Sequence, residues 1–280
     1  MSATVAFEVP SPYGPPTETR TVTLSYTRVG AGEPLLLLHG IGHHRQAWDP
    51  VIDILATERE VIAVDLPGFG VSPALPDDFV HDLPTMTAVF GALCEALDLD
   101  RPHVAGNSLG GLLALELGRE KRVRSVTTLS PAGFWSQAER RYAFGVLLAM
   151  RRAARSMPLP LVERLSRSAA GRAVLTSSIY ARPGRRSPEA VVAETLALAN
   201  AQRFTETLKA GAGIRFTDDV PGIPVTVAWG TRDMLLVRRQ GIRAKRIIPK
   251  ARLIRLPGCG HVPMNDDPAL VARVILDGSR

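Results

Sequence analysis

A serine hydroxyl attacks a carbonyl efficiently when a base takes its proton, and a histidine base works best when a carboxylate orients it. Three segments of this 280-residue sequence offer those groups: Ser108 in Gly106-Asn107-Ser108-Leu109-Gly110-Gly111, Asp233 in Gly230-Thr231-Arg232-Asp233, and His261 in Gly258-Cys259-Gly260-His261. Their order along the chain, nucleophile then acid then histidine, is the order found with serines carried on a strand–turn–helix elbow. A serine at such an apex has a strained backbone, so its neighbours must be small. Gly106 and Gly110, two residues to either side, remove the Cβ atoms that would clash. The helix opening at the turn directs its N–H groups and positive dipole end at a developing oxyanion. The pentapeptide alone is equally compatible with a glycine-rich strand-to-helix turn that does no chemistry.

The surrounding elements must position these groups. Pro34–Leu38, Glu60–Val64, His103–Ala105, Val123–Leu129, Val225–Trp229 and Ala251–Leu256 are short apolar runs bounded by turn residues. That pattern predicts strands buried on both faces of a parallel sheet. Thr21–Val29 alternates like a strand, and residues 1–20 are expected to be partly extended. Helices are expected over Trp48–Ala56, from Pro84 to Leu97, over Leu112–Leu117 and over residues 268–276. From Gly133 to about Ile214 the pattern is helical, with no strand candidate, punctuated by Pro158, Pro160, Pro183 and Pro188. Strand–helix alternation predicts an α/β fold with a mostly parallel sheet and helices on both faces. Parallel sheets gather ligands at the carboxyl ends of their strands. Ser108, His39-Gly40-Ile41-Gly42, Asp233 and His261 all follow such ends.

The sequence resembles the α/β-hydrolase family over nearly its whole length. The resemblance rests on the His39-Gly40 pair, the D-x-P-G-x-G turn from Asp65 to Gly70, G-N-S-L-G-G, W-G-x-x-D ending at Asp233, and G-x-G-H ending at His261, all in the family's order. It implies an eight-stranded, mostly parallel sheet with a helical cap inserted after the sixth strand. The expected division is a hydrolase core over 1–132 and 218–280 with a cap over 133–217. It further implies Ser108 as nucleophile, Asp233 as acid, His261 as base, and an oxyanion hole from the backbone N–H groups of Ile41 and Leu109. The family's other location for the acid holds Ser130-Pro131 here, which favours Asp233.

Serine at the elbow argues against the dehalogenases and epoxide hydrolases of this family, which use aspartate. Hydrolysis of an ester, lactone or thioester through an acyl-enzyme is the first expectation, on a small to medium apolar substrate. Hydrolysis of a carbon–carbon bond in a vinylogous diketone, as in meta-cleavage-product hydrolases, is the alternative. A cofactor-free haloperoxidase or perhydrolase and a non-catalytic binding protein complete the set. None needs a cofactor or metal. The pocket wall is expected from Leu236 and Val262, with Phe134, Trp135, Phe144, Leu147, Leu148 and Met264 as further candidates. His39 is expected beneath the site as a structural residue, His43 and His44 as solvated or capping residues with the pocket's edge as the alternative, and His81 and His103 have no evident partner. Asp65 is expected to shape its loop. Asp266 follows His261 too closely to orient it, Asp267-Pro268 marks a helix start, and Asp218 and Asp219 are reserve acids.

Net charge is +7, but residues 133–217 carry 14 Lys+Arg against 5 Asp+Glu, and the remainder 20 against 22. The middle segment alone is basic. Its arginines are not interleaved with stacking aromatics, so nucleic-acid binding is not expected; a solvated arginine-rich helical surface is. No apolar run reaches the roughly 18 residues of a membrane span, and the N-terminus lacks a secretory signal pattern. Two cysteines are too few for a disulfide framework, so reduced, packed thiols and a cytoplasmic setting are expected. The partner expected is a small molecule; whether the chain is a monomer or a homodimer is not readable.

Overall fold

The short apolar runs become the centre of one eight-stranded sheet. The structure, a computed structural model, describes residues 2–15 and 17–280. Met1 and Pro16, within the expected extended N-terminal stretch, lie outside the described residues. The strands are β1 (Ser2–Pro10), β2 (Thr19–Val29), β3 (Pro34–Leu38), β4 (Glu60–Val64), β5 (His103–Asn107), β6 (Ser125–Leu129), β7 (Val225–Gly230) and β8 (Arg252–Leu256). Their spatial order is β1-β2-β4-β3-β5-β6-β7-β8. β2 pairs antiparallel with β1 and β4, and every other pairing is parallel.

The extended stretch expected within residues 1–20 includes a regular strand, since residues 2–10 pair along their whole length, from Ser2 opposite Thr27 to Pro10 opposite Thr19. One expectation about strands changes. The last strand is not buried: Arg252, Leu253 and Arg255 are exposed. β8 closes the sheet at its edge, where outward arginines discourage pairing with another chain.

Helices α1 (Asp49–Leu55) and α11 (Pro268–Gly278), with the short α10 (Pro263–Asp266) before it, pack on one face of the sheet. Helices α2 (Leu83–Ala96), α3 (Leu109–Arg119) and α9 (Arg239–Ile247) pack on the other. Among them α3 is almost wholly buried, from Gly110 to Gly118, because the apolar run that follows the elbow is continuous rather than one-sided.

Between β6 and β7 the chain leaves the sheet and forms only helices: α4 (Gln137–Ser156), α5 (Leu159–Ser166), α6 (Ala169–Thr176), α7 (Pro188–Asn200) and α8 (Phe204–Gly211), with a short 3-10 turn at Pro183–Arg185. Ser136 and Glu139 cap α4 reciprocally. Glu139 also pairs with Arg239 and Arg243 of α9, anchoring the start of this excursion to the sheet-flanking helices. Its arginines are not all solvated. Arg186 is buried against Glu194, Arg151 lies over the Phe204 ring, and Arg182 and Arg185 donate to the carbonyl of Asp266. No described helix is long and apolar enough to cross a membrane.

Candidate active site

Ser108 sits where β5 ends and α3 begins, with φ 55° and ψ −114°. A positive φ is unfavourable for a residue with a Cβ and persists only when the surroundings hold it. Here the backbone is held at both ends. Its N–H donates to Leu129 O at 3.0 Å, and its carbonyl accepts from Leu112 N at 3.1 Å and Ala132 N at 3.0 Å. The flanking glycines are required by contact: a Cβ on Gly106 would lie 2.1 Å from Gly110 O, and one on Gly110 would lie 2.1 Å from Leu38 O. The loop after β3 also packs closely, though less tightly, since a Cβ on Gly40 would sit 3.2 Å from Ser108 Cβ.

The loops after β7 and β8 bring the acid to the imidazole. His261 Nδ1 is 3.0 Å from Asp233 Oδ2, and both side chains are buried. Asp233 Oδ1 accepts from the N–H groups of Leu235 and Leu236 at 2.9 and 2.8 Å, so the carboxylate is fixed in place. Ser108 and His261 line one cavity. Their loops are tied directly, because Asn107 Nδ2 donates to His261 O at 2.9 Å. The N–H groups of Ile41 and Leu109 find no acceptor among the described residues, and both residues line a cavity with Ser108.

Two cavities meet at Ser108, sharing Ile41, Leu147 and Leu235. The first is mostly apolar and runs beneath α4 and α8, past Trp135, Phe144, Leu208 and Leu236. Its few polar residues include His81, whose Nε2 donates to Thr207 Oγ1 at 2.9 Å. The second runs past His43, Glu194 and Val262 to Met150 and Leu198. Leu236, Trp135, Phe144, Leu147 and Val262 thus line a cavity, but Phe134 lines neither. It is buried against Phe216 with ring centroids 5.5 Å apart. Met264 belongs to the core on the other face of the sheet, and Leu148 packs at the margin of the nearer core.

The remaining candidates have structural partners. His39 is fully buried; its Nε2 accepts from Leu66 N at 3.0 Å and its Nδ1 donates to Gly40 O at 2.7 Å. Burial lowers its pKa to about 4, so the ring is neutral. Asp65 accepts from the backbone of Arg45 and Val71 and pairs with the Arg45 guanidinium, holding its Pro-Gly turn. Asp267 caps α11 through Leu270 N. His103 bonds Ser125 and Glu33 on the sheet, away from both cavities. Asp218 and Asp219 are exposed. His43 and His44 are neither solvated nor capping, since both are buried and neither caps a helix through its side chain, but His43 meets the alternative by lining the second cavity. Burial also drives the His43 pKa well down. Cys259, beside the histidine loop, is no rival nucleophile, because burial pushes its thiol up to about 12.

Sequence reasoning weighed Asp266 only as an orienter of His261 and missed its contacts. Asp266 accepts backbone N–H groups from Gly260 at 2.7 Å, Arg182 at 2.7 Å and Ala181 at 3.0 Å, joining the histidine loop to the helical excursion. Sequence reasoning passed over Tyr180, Arg186 and Glu194, which meet His43 behind the second cavity. No local pattern marks them, since they come together only through folding. Among the described residues, no three His, Cys, Asp or Glu side chains group as a metal site requires.

A family model described as "alpha/beta hydrolase fold" matches residues 33–268. Lipase 3 of a Moraxella species is 28% identical over 246 residues, covering 83% of this chain and 73% of its own. A thermophilic esterase structure from Thermogutta terrifontis superposes with a TM-score of 0.72 at 21% identity, covering 98% of this chain and 97% of that one. A meta-cleavage product hydrolase from Pseudomonas fluorescens superposes with a TM-score of 0.71 at 18% identity, covering 96% of each chain. The two structural likenesses speak for the fold.

Proposed function

The chain belongs to the alpha/beta hydrolase fold family, and on that premise we propose that it is a serine hydrolase cleaving a carboxylic ester, lactone or thioester of an apolar acyl group. Ser108 attacks the carbonyl carbon while His261 Nε2 takes its proton. Asp233 holds the ring by Nδ1 and stabilises the imidazolium that forms. The N–H groups of Ile41 and Leu109 receive the oxyanion, and loss of one such donor typically costs about 10²–10³-fold in rate. The ester C–O bond then breaks, the proton passes to the leaving oxygen, and water repeats the sequence on the acyl-enzyme. The Ser108 hydroxyl makes no hydrogen bond with a described residue, and contacts of this kind often tighten only when substrate is bound. In this reading residues 133–217 act as a cap over the hydrolase core of 1–132 and 218–280.

The observation that carries the reading is a strained serine and an acid-held histidine on one cavity, beside two unpartnered N–H groups. The carbon–carbon alternative is favoured by the family and disfavoured by the cavity walls. Vinylogous diketone substrates of that class carry a carboxylate, and the walls of the two cavities contain no Arg or Lys. The test is labelling by a fluorophosphonate probe, expected in the wild type and lost in Ser108→Ala. Turnover of p-nitrophenyl esters is then compared with that of a ring-cleavage diketone. Diketone hydrolysis with negligible ester turnover would overturn the reading, and absence of labelling would return the chain to a binding role.

A further inference from the structure

The chemistry proposed above leaves one buried polar cluster beside Ser108 without a task. Glu194 of α7 lines the second cavity, and its side chain is 6% exposed. A chain of hydrogen bonds converges on one of its oxygens. The His44 N–H donates to His43 Nδ1 at 3.1 Å, so Nε2 carries the ring proton and donates to Tyr180 Oη at 3.3 Å. Tyr180 donates to Glu194 Oε1 at 2.9 Å, and Arg186 Nε donates to the same atom at 2.6 Å. The other oxygen, Oε2, is buried with no partner among the described residues. Proteins seldom leave such an atom bare, because its lost hydration is not replaced.

The position of this atom in the reaction follows from proton traffic. The histidine that takes the nucleophile's proton returns it to the leaving oxygen, so the leaving group must lie on the histidine's side. His261 lines the second cavity and not the first, whereas Leu109 lines the first and not the second. The acyl chain therefore belongs in the mostly apolar first cavity and the leaving group in the second. We propose, resting on the serine-hydrolase reading, that the second cavity selects an alcohol leaving group bearing a second hydroxyl, and that this hydroxyl pairs with Glu194 Oε2. The substrate class is an apolar acyl ester of a diol or polyol. A hydroxyl both donates and accepts, so it satisfies Oε2 in either protonation state. An ammonium only donates, and it would enter beside the Arg186 cation.

The test compares kcat/KM of the wild type for a 2,3-dihydroxypropyl ester, a propyl ester and a 3-aminopropyl ester of one acyl chain, chosen with the p-nitrophenyl series. We expect a preference of about tenfold for the dihydroxypropyl over the propyl ester, the scale of one hydrogen bond to a buried charged group. In Glu194→Gln that preference falls at least about threefold, since a neutral amide in place of the carboxylate makes a weaker bond to the hydroxyl. The wild-type comparison decides the matter even if the variant does not fold. Equal wild-type constants, a preference for the aminopropyl ester, cleavage of the p-nitrophenyl ester alone, or an unchanged preference in folded Glu194→Gln would each overturn the inference while fluorophosphonate labelling of Ser108 persists. Loss of labelling together with all ester turnover would instead remove the serine-hydrolase reading on which it rests.

Discussion

The two cavities that meet at Ser108 are walled in different ways. The first is bounded by side chains of α2, α3, α4 and α8 that belong to, or pack against, the main hydrophobic core. Its shape is therefore a consequence of core packing, where volume is what counts. The second is bounded by the loops after β3 and β8 and by α6 and α7, and a chain of hydrogen bonds through His43, Tyr180, Glu194 and Arg186 stands behind it. Its shape depends on directional contacts, where polarity and protonation count. One side of Ser108 should tolerate polar change and resist changes of size; the other should do the reverse.

Ser108 is common to both cavities, so its removal should abolish turnover whichever side a substrate favours. We expect Ser108→Ala to lower kcat on a p-nitrophenyl ester by on the order of 10⁵-fold or more, read by initial rates, with folding unchanged by circular dichroism. Asp233→Asn should cost about 10⁴-fold near neutral pH, because the amide favours the wrong imidazole tautomer. A loss under tenfold would show that His261 does not depend on this carboxylate.

The loop after β3, which carries both His39 and His43, should weaken the protein in acid. His39 holds its proton only below about pH 4 in the folded chain but near 6.5 when unfolded. Between those values the unfolded chain binds the extra proton, so stability is full above about pH 6.5 and falls toward pH 4. The loss from this group is on the order of 3 kcal/mol, and buried His43 adds to it in the same direction. Denaturant titrations at stepped pH measure it; a flat profile from pH 7 to 4 would contradict it. The smallest effect separates the cavities directly. Ala143, 1% exposed on the first cavity wall, becomes an obstruction as Ala143→Phe. Octanoyl esters should lose about tenfold in kcat/KM against acetyl esters, with the leaving-group preference unchanged.

The elbow was legible in the sequence because its constraints are local. Gly106 and Gly110 lie two residues from Ser108, and the atoms they avoid belong to the elbow itself or to the adjoining end of β3. β8 was misread as buried because Leu253, Ile254 and Leu256 were weighed above Arg252 and Arg255, whose charges already suit an edge strand, and its place at the sheet's edge exposes Leu253. Phe134 was misplaced for a similar reason: an aromatic residue near a site packs as readily into the core, here against Phe216. The link from Glu139 of α4 to Arg239 and Arg243 of α9 carries no local pattern at all.

What the sequence determined by itself was the alternation of buried strands and helices, the strained turn at residue 108, and the order in which hydroxyl, carboxylate and imidazole occur. Those follow from backbone sterics and apolar periodicity, which act over a few residues. Tertiary structure alone decided that the 6%-exposed Glu194 would border a cavity with one carboxylate oxygen left without a partner among the described residues, and that Asp266 would bind the histidine loop to the helices above it. Such contacts join residues up to about 150 positions apart, as between Glu194 and His43. Their energies depend on burial and direction, which exist only once the chain has closed around them.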